Sequence, residues 1–258
     1  MRVHFNDFID EASFEKLKSL AKEVTSEHLK ENELKKQIKA ITILVVRSKT
    51  KITREILELG AKGKLKLVIR AGAGLDNIDL ESAKEFNIDV RSTGEASSNA
   101  VAELTLGLIL GLSRNFVRAD ASMRGGEFLK AEFMGDEISG KTLGLIGFGH
   151  IGQLVAKKAK ALGMKVLYTN NSGENKLFKG VCTYGSLEEV LGQSSYISLH
   201  LPALPGERPL LGEYQFKAMK QGVYIINTAR GSLIDEEILL KDLDSGKVRA
   251  AALDVFKE

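Results

Sequence analysis

Short apolar runs alternate with charged amphipathic segments along the whole chain. The runs are RVHF, ITILVV, LKLVI and IDV in the first part, then TLGLIGF, KVLYT, SYISLHL, VYIINT and AAALDVF in the second. Unbroken apolar strands are typical of parallel sheets that are covered by helices on both faces. The pattern therefore predicts an α/β protein with two parallel sheets.

The composition changes at RSTGEASSNAVAE, residues 91–103, where small polar residues lead into the apolar pattern AVAELTLGLILGLSRNF. This change predicts a hinge followed by a helix that is capped by Ser97 or Ser98. The stretch 123–141, MRGGEFLKAEFMGDEISGK, is poor in helical periodicity and predicts a loop.

A glycine motif, GFGHIG at 147–152, stands between the strand pattern TLGLI and the helix pattern QLVAKKAKALG. Gly147, Gly149 and Gly152 fit G-x-G-x-x-G, in which glycines allow a tight turn, close approach of a pyrophosphate and close helix packing. The bare pattern is weakly specific, but the strand before it and the helix after it are the context that dinucleotide binding requires. The acidic residue that favours NAD is absent, since Thr169 stands at its expected place. NAD is therefore predicted, with NADP permitted.

Two further loops predict anion binding. In RAGAGLDNID, residues 70–79, backbone amides around Gly72 to Gly74 could bind a carboxylate, although a tight turn explains the glycines equally well. In VVRSKTKIT, residues 45–53, the four polar side chains of Arg47, Ser48, Lys49 and Lys51 follow a strand. They suit a small anionic ligand, and a solvated helix start is the alternative.

Arg230 follows the apolar strand VYIIN in the stretch VYIINTARGSLIDEE. A guanidinium is always charged and offers a rigid fork of donors, so an arginine at the carboxyl end of a strand is well placed to bind a carboxylate. A surface salt bridge or a contact with a carbonyl is the competing interpretation.

Composition narrows the class of protein. The chain is 43% hydrophobic and 28% charged, and its unbroken apolar runs are too short to span a bilayer. The amino terminus lacks the features of a signal peptide, so a cytoplasmic location is expected. One cysteine and four scattered histidines predict no metal site, and mixed charge with a net of +3 predicts neither a nucleic-acid nor a membrane partner.

The chain resembles the D-isomer-specific 2-hydroxyacid dehydrogenases through GFGHIG, RAGAGLDNID, VAELTLGLIL, SLHLPALP, NTARGSLIDE and AAALDVF. The resemblance implies a flavodoxin-like substrate-binding domain at 1–93 and a Rossmann-type, doubly wound NAD-binding domain at 94–258. Arg230 would be the catalytic arginine, and the substrate-binding positions would be Arg47, Ser48, Ala71, Gly72, Ala73, Gly74 and Ser97. The cofactor-binding positions would be Gly147, Gly149, His150, Ile151, Gly152, Thr169, His200, Leu201, Pro202, Thr228, Ala229, Arg230 and Asp254.

The implied activity is NAD-dependent oxidation of a D-2-hydroxy acid to the 2-oxo acid. The loop at 45–53 is most similar to that of family members that oxidise 3-phospho-D-glycerate in serine biosynthesis, while hydroxypyruvate and glyoxylate reductases carry similar loops. A non-catalytic NAD-binding regulator or fragment is the alternative of another class. The apolar helix at 101–112 and the loop after it suggest a homodimer.

The proton on the substrate hydroxyl needs a base, which in the family is a histidine held by a glutamate. His150 lies in the glycine motif and His200 ends a strand at the cofactor edge, so neither is expected to serve. Glu258 falls one residue short of the position of the family's glutamate. The complete protein is therefore expected to continue beyond Glu258.

Overall fold

The computed structural model describes residues 1–8, 10–203, 206 and 208–257. The chain divides into two compact units, Met1–Ser97 and Ser98–Glu258. Each unit contains one parallel sheet and is described separately below. Glu258, considered above as the family's catalytic carboxylate, lies outside the described residues.

The first unit contains a five-stranded parallel sheet in the order β2-β1-β3-β4-β5. This is the flavodoxin-like order, and its switch point lies where β1 and β3 pair side by side. The strands are β1 Arg2–Phe5, β2 Glu23–Ser26, β3 Ile43–Val46, β4 Leu67–Arg70 and β5 Asp89–Ser92. The helices are α1 Glu11–Lys18, α2 Glu31–Gln37, α3 Arg54–Ala61 and α4 Leu80–Glu85, with a 3-10 turn at Ile38–Ala40.

Both faces of this sheet are covered by apolar side chains. On one face a large cluster includes the fully buried Leu34, Leu44 and Ile56, which come from α2, β3 and α3. On the other face Val3 and Phe5 of β1 pack with residues of α1. Burial on both faces explains the apolar character of the inner strands β1, β3 and β4, whereas the edge strands β2 and β5 bury no residue.

The second unit contains a six-stranded parallel sheet in the order β11-β10-β9-β6-β7-β8. Counted from the first strand of the unit this is 6-5-4-1-2-3, the dinucleotide-binding order, with its switch point between β6 and β9. The strands are β6 Thr142–Ile146, β7 Lys165–Thr169, β8 Thr183–Tyr184, β9 Tyr196–Leu199, β10 Val223–Asn227 and β11 Val248–Leu253. The helices are α5 Gly94–Ser113, α6 Phe116–Arg124, α7 His150–Ala161, α8 Leu187–Gln193, α9 Glu213–Ala218 and α10 Glu236–Asp244, with 3-10 turns at Lys176–Phe178 and Gly231–Leu233. The predicted α/β fold with two doubly wound parallel sheets is confirmed.

Helix α5 is long and apolar enough to cross a membrane by length and composition alone. Its Ala102, Leu106 and Ile109 belong to the core cluster that covers one face of the second sheet, together with Val155 of α7. Packing in this core accounts for the apolar character of that side of the helix.

Helix α5 begins at Gly94, so the prediction that Ser97 or Ser98 caps it was wrong. Both serines lie inside its first turns, where the Ser97 hydroxyl donates to the Gly94 carbonyl at 3.3 Å. Glu95 lies in the first turn, where a carboxylate suits the positive end of the helix dipole. Strands β2 and β8 were not predicted, since both are short edge strands without a buried residue.

The loop predicted at 123–141 begins at Gly125 in the structure, because Met123 and Arg124 still belong to α6. Large apolar side chains on α6 and this loop are exposed in the chain, namely Phe116, Val117, Met123, Phe128 and Met134. The homodimer stays a prediction.

Candidate active-site loops

The glycine motif in the second unit requires glycine at two positions. Gly147 has φ +97°, and a Cβ there would lie 2.3 Å from the His200 carbonyl oxygen. A Cβ on Gly152 would lie 2.5 Å from the Gly147 carbonyl oxygen. The turn and the close packing of α7 against it therefore depend on the missing side chains.

Gly149, by contrast, is exposed and has nothing within 4 Å of the place of a Cβ. It precedes α7, whose first residue His150 is exposed and whose next residue Ile151 is half-buried. The amino end of this twelve-residue helix therefore presents amides and a partial positive charge above an open glycine backbone. These residues fit the pyrophosphate of a dinucleotide.

The predicted ribose-reading residue, Thr169, has a second candidate directly after it. Thr169 is the last residue of β7, and its carbonyl oxygen accepts the Gly147 amide at 2.9 Å. The next residue, Asn170, has a buried Oδ1 that has no hydrogen-bond partner among the described residues. A buried acceptor without a donor is unusual, and at the end of the second strand a ribose hydroxyl would satisfy it.

His200 follows β9 at the switch point, and its amide donates to the Ile146 carbonyl at 2.7 Å. Its Nε2 lies 2.9 Å from the Ser198 hydroxyl. Burial lowers the pKa of His200 to about 4, so the ring is neutral near pH 7. Leu201 is half-buried and Pro202 is exposed beside it.

The Arg230 turn, residues 228–230, is bound at both ends by Asn227, the buried last residue of β10. The Asn227 Oδ1 accepts the Ala229 amide at 3.0 Å, and its Nδ2 donates to the Arg230 carbonyl at 2.8 Å. The half-buried Arg230 guanidinium donates to the Ala229 carbonyl at 2.6 Å. The alternative that this arginine contacts a carbonyl is therefore realised, and its role toward a substrate carboxylate stays a prediction.

Two other predicted cofactor residues lie next to this turn. The Thr228 hydroxyl is 3.1 Å from that of Thr105 on α5, which itself donates to the Val101 carbonyl. Thr228 is therefore the donor between the two hydroxyls. Asp254 follows β11, is exposed, and donates its amide to the Asn227 carbonyl at 2.9 Å.

In the first unit, the loop after β3 lies at the switch point. Arg47, Ser48 and Lys49 are exposed, whereas Thr50 is 7% exposed. The Arg47 amide donates to the Asp7 carboxylate at 2.6 Å, across the boundary between β3 and β1. The structure thus places three polar side chains at the ligand-binding edge of a flavodoxin-like sheet.

The loop at 71–74 follows β4, beside β3. The Ala71 amide donates to the Val46 carbonyl at 2.8 Å and the Gly72 amide to the Arg70 carbonyl at 2.9 Å. Only the amides of Ala73 and Gly74 make no hydrogen bond within the described part of the chain, so the proposed anion nest is narrower than predicted. A Cβ on Gly94 would lie 2.7 Å from the Ala73 Cα, which brings the start of α5, and with it Ser97, next to this loop.

Several residues that shape these loops escaped the sequence-based reasoning. Asp7, Asn77 and Asn227 hold loop backbones, Thr105 orients Thr228, and Asn170 carries the unmatched acceptor. A polar residue at the end of an apolar strand, or within two residues after it, was a usable signal for Asp7, Asn170 and Asn227. No signal was present for Thr105, which lies within an apolar helix.

Known proteins share this architecture. Residues 106–258 match the sequence profile described as D-isomer specific 2-hydroxyacid dehydrogenase, NAD binding domain. Hydroxypyruvate reductase of Thermotoga maritima is 47% identical over 258 residues, which cover 99% of this chain and 83% of that protein. D-3-phosphoglycerate dehydrogenase of Methanocaldococcus jannaschii is 42% identical over 260 residues, so the chain spans about half of its length (49%).

A solved structure is similar in fold as well. An acyclic imino acid reductase in complex with NADPH and D-Arg superposes with a TM-score of 0.91 at 31% identity, covering 100% of this chain and 84% of the other. The matched profile is that of an NAD-binding domain, and the glycine loop and Asn170 fit a dinucleotide. The protein is thus an oxidoreductase that uses NAD or NADP, and it belongs to the D-isomer-specific 2-hydroxyacid dehydrogenase family.

Proposed function

We propose that the protein interconverts 3-phospho-D-glycerate and 3-phosphohydroxypyruvate. The observation that supports this substrate is the loop after β3, in which Arg47, Ser48 and Lys49 are exposed together on a hydrogen-bonded backbone. Two cations and a hydroxyl suit a phosphate better than a neutral hydroxymethyl group. The charges of this loop support a phosphorylated substrate over the other D-2-hydroxy acids of the family.

Arg230 holds the substrate carboxylate in this proposal, because its guanidinium is always charged and its backbone is anchored by Asn227. The bound nicotinamide supplies the acceptor or donor of the hydride. Gly149 and the amino end of α7 bind the pyrophosphate, and Asn170 accepts from the ribose. His200 does not take the hydroxyl proton, because with a pKa of about 4 it is a weak base near neutral pH.

Hydroxypyruvate and D-glycerate are the second candidate pair. The 47% identity to the Thermotoga maritima hydroxypyruvate reductase favours them, since that relative and this chain match over nearly all of the chain. The two candidates share the carboxylate and the C2 carbonyl, so Arg230 has the same role in both. Only the group on C3 differs.

The test is to follow oxidation of NADH or NADPH by the purified full-length protein with 3-phosphohydroxypyruvate, hydroxypyruvate and glyoxylate. We expect kcat/KM for 3-phosphohydroxypyruvate to exceed that for hydroxypyruvate by about tenfold or more, because the phosphate adds a charge-assisted contact. A preference for hydroxypyruvate would select the second pair. Tight NADH binding without turnover of any 2-oxo acid would instead favour a regulator.

Arg230→Ala and Arg230→Lys test the mechanism within the same assay. Arg230→Ala should lower kcat/KM on the order of 10²- to 10³-fold, and Arg230→Lys should recover only part of it, because an ammonium cannot form the bidentate contact. The Kd for NADH, measured by nucleotide fluorescence, should stay within about twofold because the adenine, ribose and pyrophosphate contacts remain. A large loss of NADH affinity would contradict the assigned role of Arg230.

A further inference from the structure

We propose that Asp7 is a positioning residue whose carboxylate holds the Arg47–Thr50 loop in the shape that receives the anionic group of the substrate. This inference rests on the proposed function of that loop. Asp7 follows β1, and the loop follows β3, so the two face each other at the switch point of the first sheet.

Asp7 binds both ends of the loop. Its Oδ2 accepts the Arg47 amide at 2.6 Å, and its Oδ1 accepts the Thr50 hydroxyl at 2.9 Å. The Asp7 side chain is 6% exposed, so these bonds are shielded from water. Hydrogen bonds to a shielded carboxylate are among the stronger ones in proteins.

The direction of the Thr50 bond is determined by its neighbour. The Asn6 amide donates from Nδ2 to the Leu29 carbonyl at 3.1 Å and to the Thr50 hydroxyl oxygen at 2.9 Å. The single proton of the Thr50 hydroxyl is then directed to Asp7. Position 7 therefore faces these two donors, with His28 Nδ1 3.6 Å from Oδ1, and a side chain that only accepts is the one that fits.

The remaining hydrogen bonds of Asn6 support this orientation of its side-chain amide. Its Oδ1 accepts the Leu29 amide at 3.2 Å and lies 3.2 Å from His4 Nε2. His4 Nε2 is therefore the donor, and Nδ1, which is 2.8 Å from the Thr25 hydroxyl, is the acceptor. Burial, the largest effect, lowers the pKa of His4, in agreement with this neutral tautomer.

Asn77 binds the loop from the opposite side. Its Nδ2 donates to the Arg47 carbonyl at 2.8 Å and to the Thr50 carbonyl at 2.6 Å. Asp7 and Asn77 thus fix the backbone at Arg47 and at Thr50, while the side chains of Arg47, Ser48 and Lys49 point to solvent. A loop ordered in advance loses less conformational entropy when an anion binds.

The decisive variant is Asp7→Asn, which keeps the shape but places an NH₂ group against either the Arg47 amide or the Thr50 hydroxyl proton. Asp10→Asn is the matched control, because Asp10 caps α1 three residues away and asparagine caps a helix equally well. Thr50→Val removes the hydroxyl that bridges Asn6 and Asp7, and Thr50→Ser retains it. This second pair serves if Asp7→Asn fails to fold.

Two measurements are made on each folded variant. Amide hydrogen exchange of residues 47–50 is followed without ligand, and the Kd of 3-phosphohydroxypyruvate and of hydroxypyruvate is measured by calorimetry with NAD⁺, which permits no turnover. We expect Asp7→Asn and Thr50→Val to exchange faster at the loop and to bind 3-phosphohydroxypyruvate about tenfold more weakly, with the Kd for NADH unchanged. Asp10→Asn and Thr50→Ser should match the wild type.

A folded Asp7→Asn variant with wild-type exchange and wild-type affinity overturns the inference. Faster exchange with unchanged 2-oxo acid affinity also overturns it, because Asp7 would then have a structural role only. If the wild type binds neither 2-oxo acid, the proposed function fails, and the part of the inference that concerns substrate fails with it. If the wild type binds 3-phosphohydroxypyruvate and Asp7→Asn does not, the proposed substrate and the role of Asp7 are both supported.

Discussion

The two loops that carry the predicted arginines are held in different ways. The Arg230 turn is bound by Asn227, a neutral side chain two and three residues before the groups it contacts. The Arg47 loop is bound by Asp7 and Asn77, which lie 40 and 30 residues away in sequence. One loop is therefore shaped by local chemistry, and the other by contacts that exist only after the first sheet has formed.

This difference has a consequence for substitutions. An asparagine side chain that bonds to backbone groups two and three residues later forms a turn that the local sequence specifies. A carboxylate that accepts from a distant amide depends on the register of β1 against β3, where Val3 pairs with Ile43. A change at Asn227 should thus act on the Arg230 turn alone, whereas a change at Asp7 should also disturb Thr50 and, through it, Asn6.

The largest expected effect follows from Asn227→Asp. The buried new oxygen would face the Arg230 carbonyl in place of a donor, and a buried charge without a partner destabilises by about 3–5 kcal/mol. The free energy of unfolding, measured in urea, should fall by that amount. Asn171→Asp, at an exposed site, is the control and should change it by less than about 0.5 kcal/mol. Equal stability of both variants would show that Asn227 does not hold the turn.

The second effect concerns the histidines, of which each unit has one with a lowered pKa, His4 and His200. The unfolded chain takes up a proton near pH 6.5, whereas folded His200 does so only near pH 4. Stability is therefore fully present above pH 6.5 and falls as the pH drops toward 4, by roughly 1.4 kcal/mol per pH unit for His200.

His200→Asn should remove most of that dependence, and His4→Asn a smaller part, because the His4 ring donates a hydrogen bond to the Asn6 side-chain oxygen, which favours its charged form and offsets part of the effect of burial. Urea unfolding at pH 7.5 and at pH 5 measures both. A wild-type free energy of unfolding that is equal at the two pH values would contradict the assignment of neutral buried rings.

The smallest effect is on cofactor choice. Asn170→Asp would place a carboxylate where the buried acceptor now lies, which should repel the 2′-phosphate of NADPH and raise the ratio of its Kd to that of NADH by about tenfold. Nucleotide fluorescence titration measures both constants. Thr169→Asp is the comparison variant. If it changes the Kd ratio more than Asn170→Asp does, then Thr169, as predicted from sequence, is the residue that contacts the ribose.

Much of the fold was predictable, because strands that are apolar along their whole length indicate a parallel sheet covered on both faces. The strands β2 and β8 were not, because edge strands bury little and carry no apolar run. At the site, the glycine motif and both arginines stood out as residue types at strand ends. Asn170 was not singled out from the sequence, because its buried and unmatched Oδ1 is evident only once β7 is paired with β6, with Ile146 opposite Thr169.

The sequence by itself determined the alternation of strands and helices and the cap-like contacts around Asn227, because each depends on neighbouring residues alone. The tertiary structure decided which polar groups meet. The sheet brings together Asn6, Asp7, Thr50 and Asn77, because β3 lies between β1 and β4. In the sequence, 37 residues lie between the end of β1 and the start of β3. Each hydrogen bond of these side chains has one assigned donor and one assigned acceptor. Burial and strand register set those roles, and they cannot be read from the local sequence.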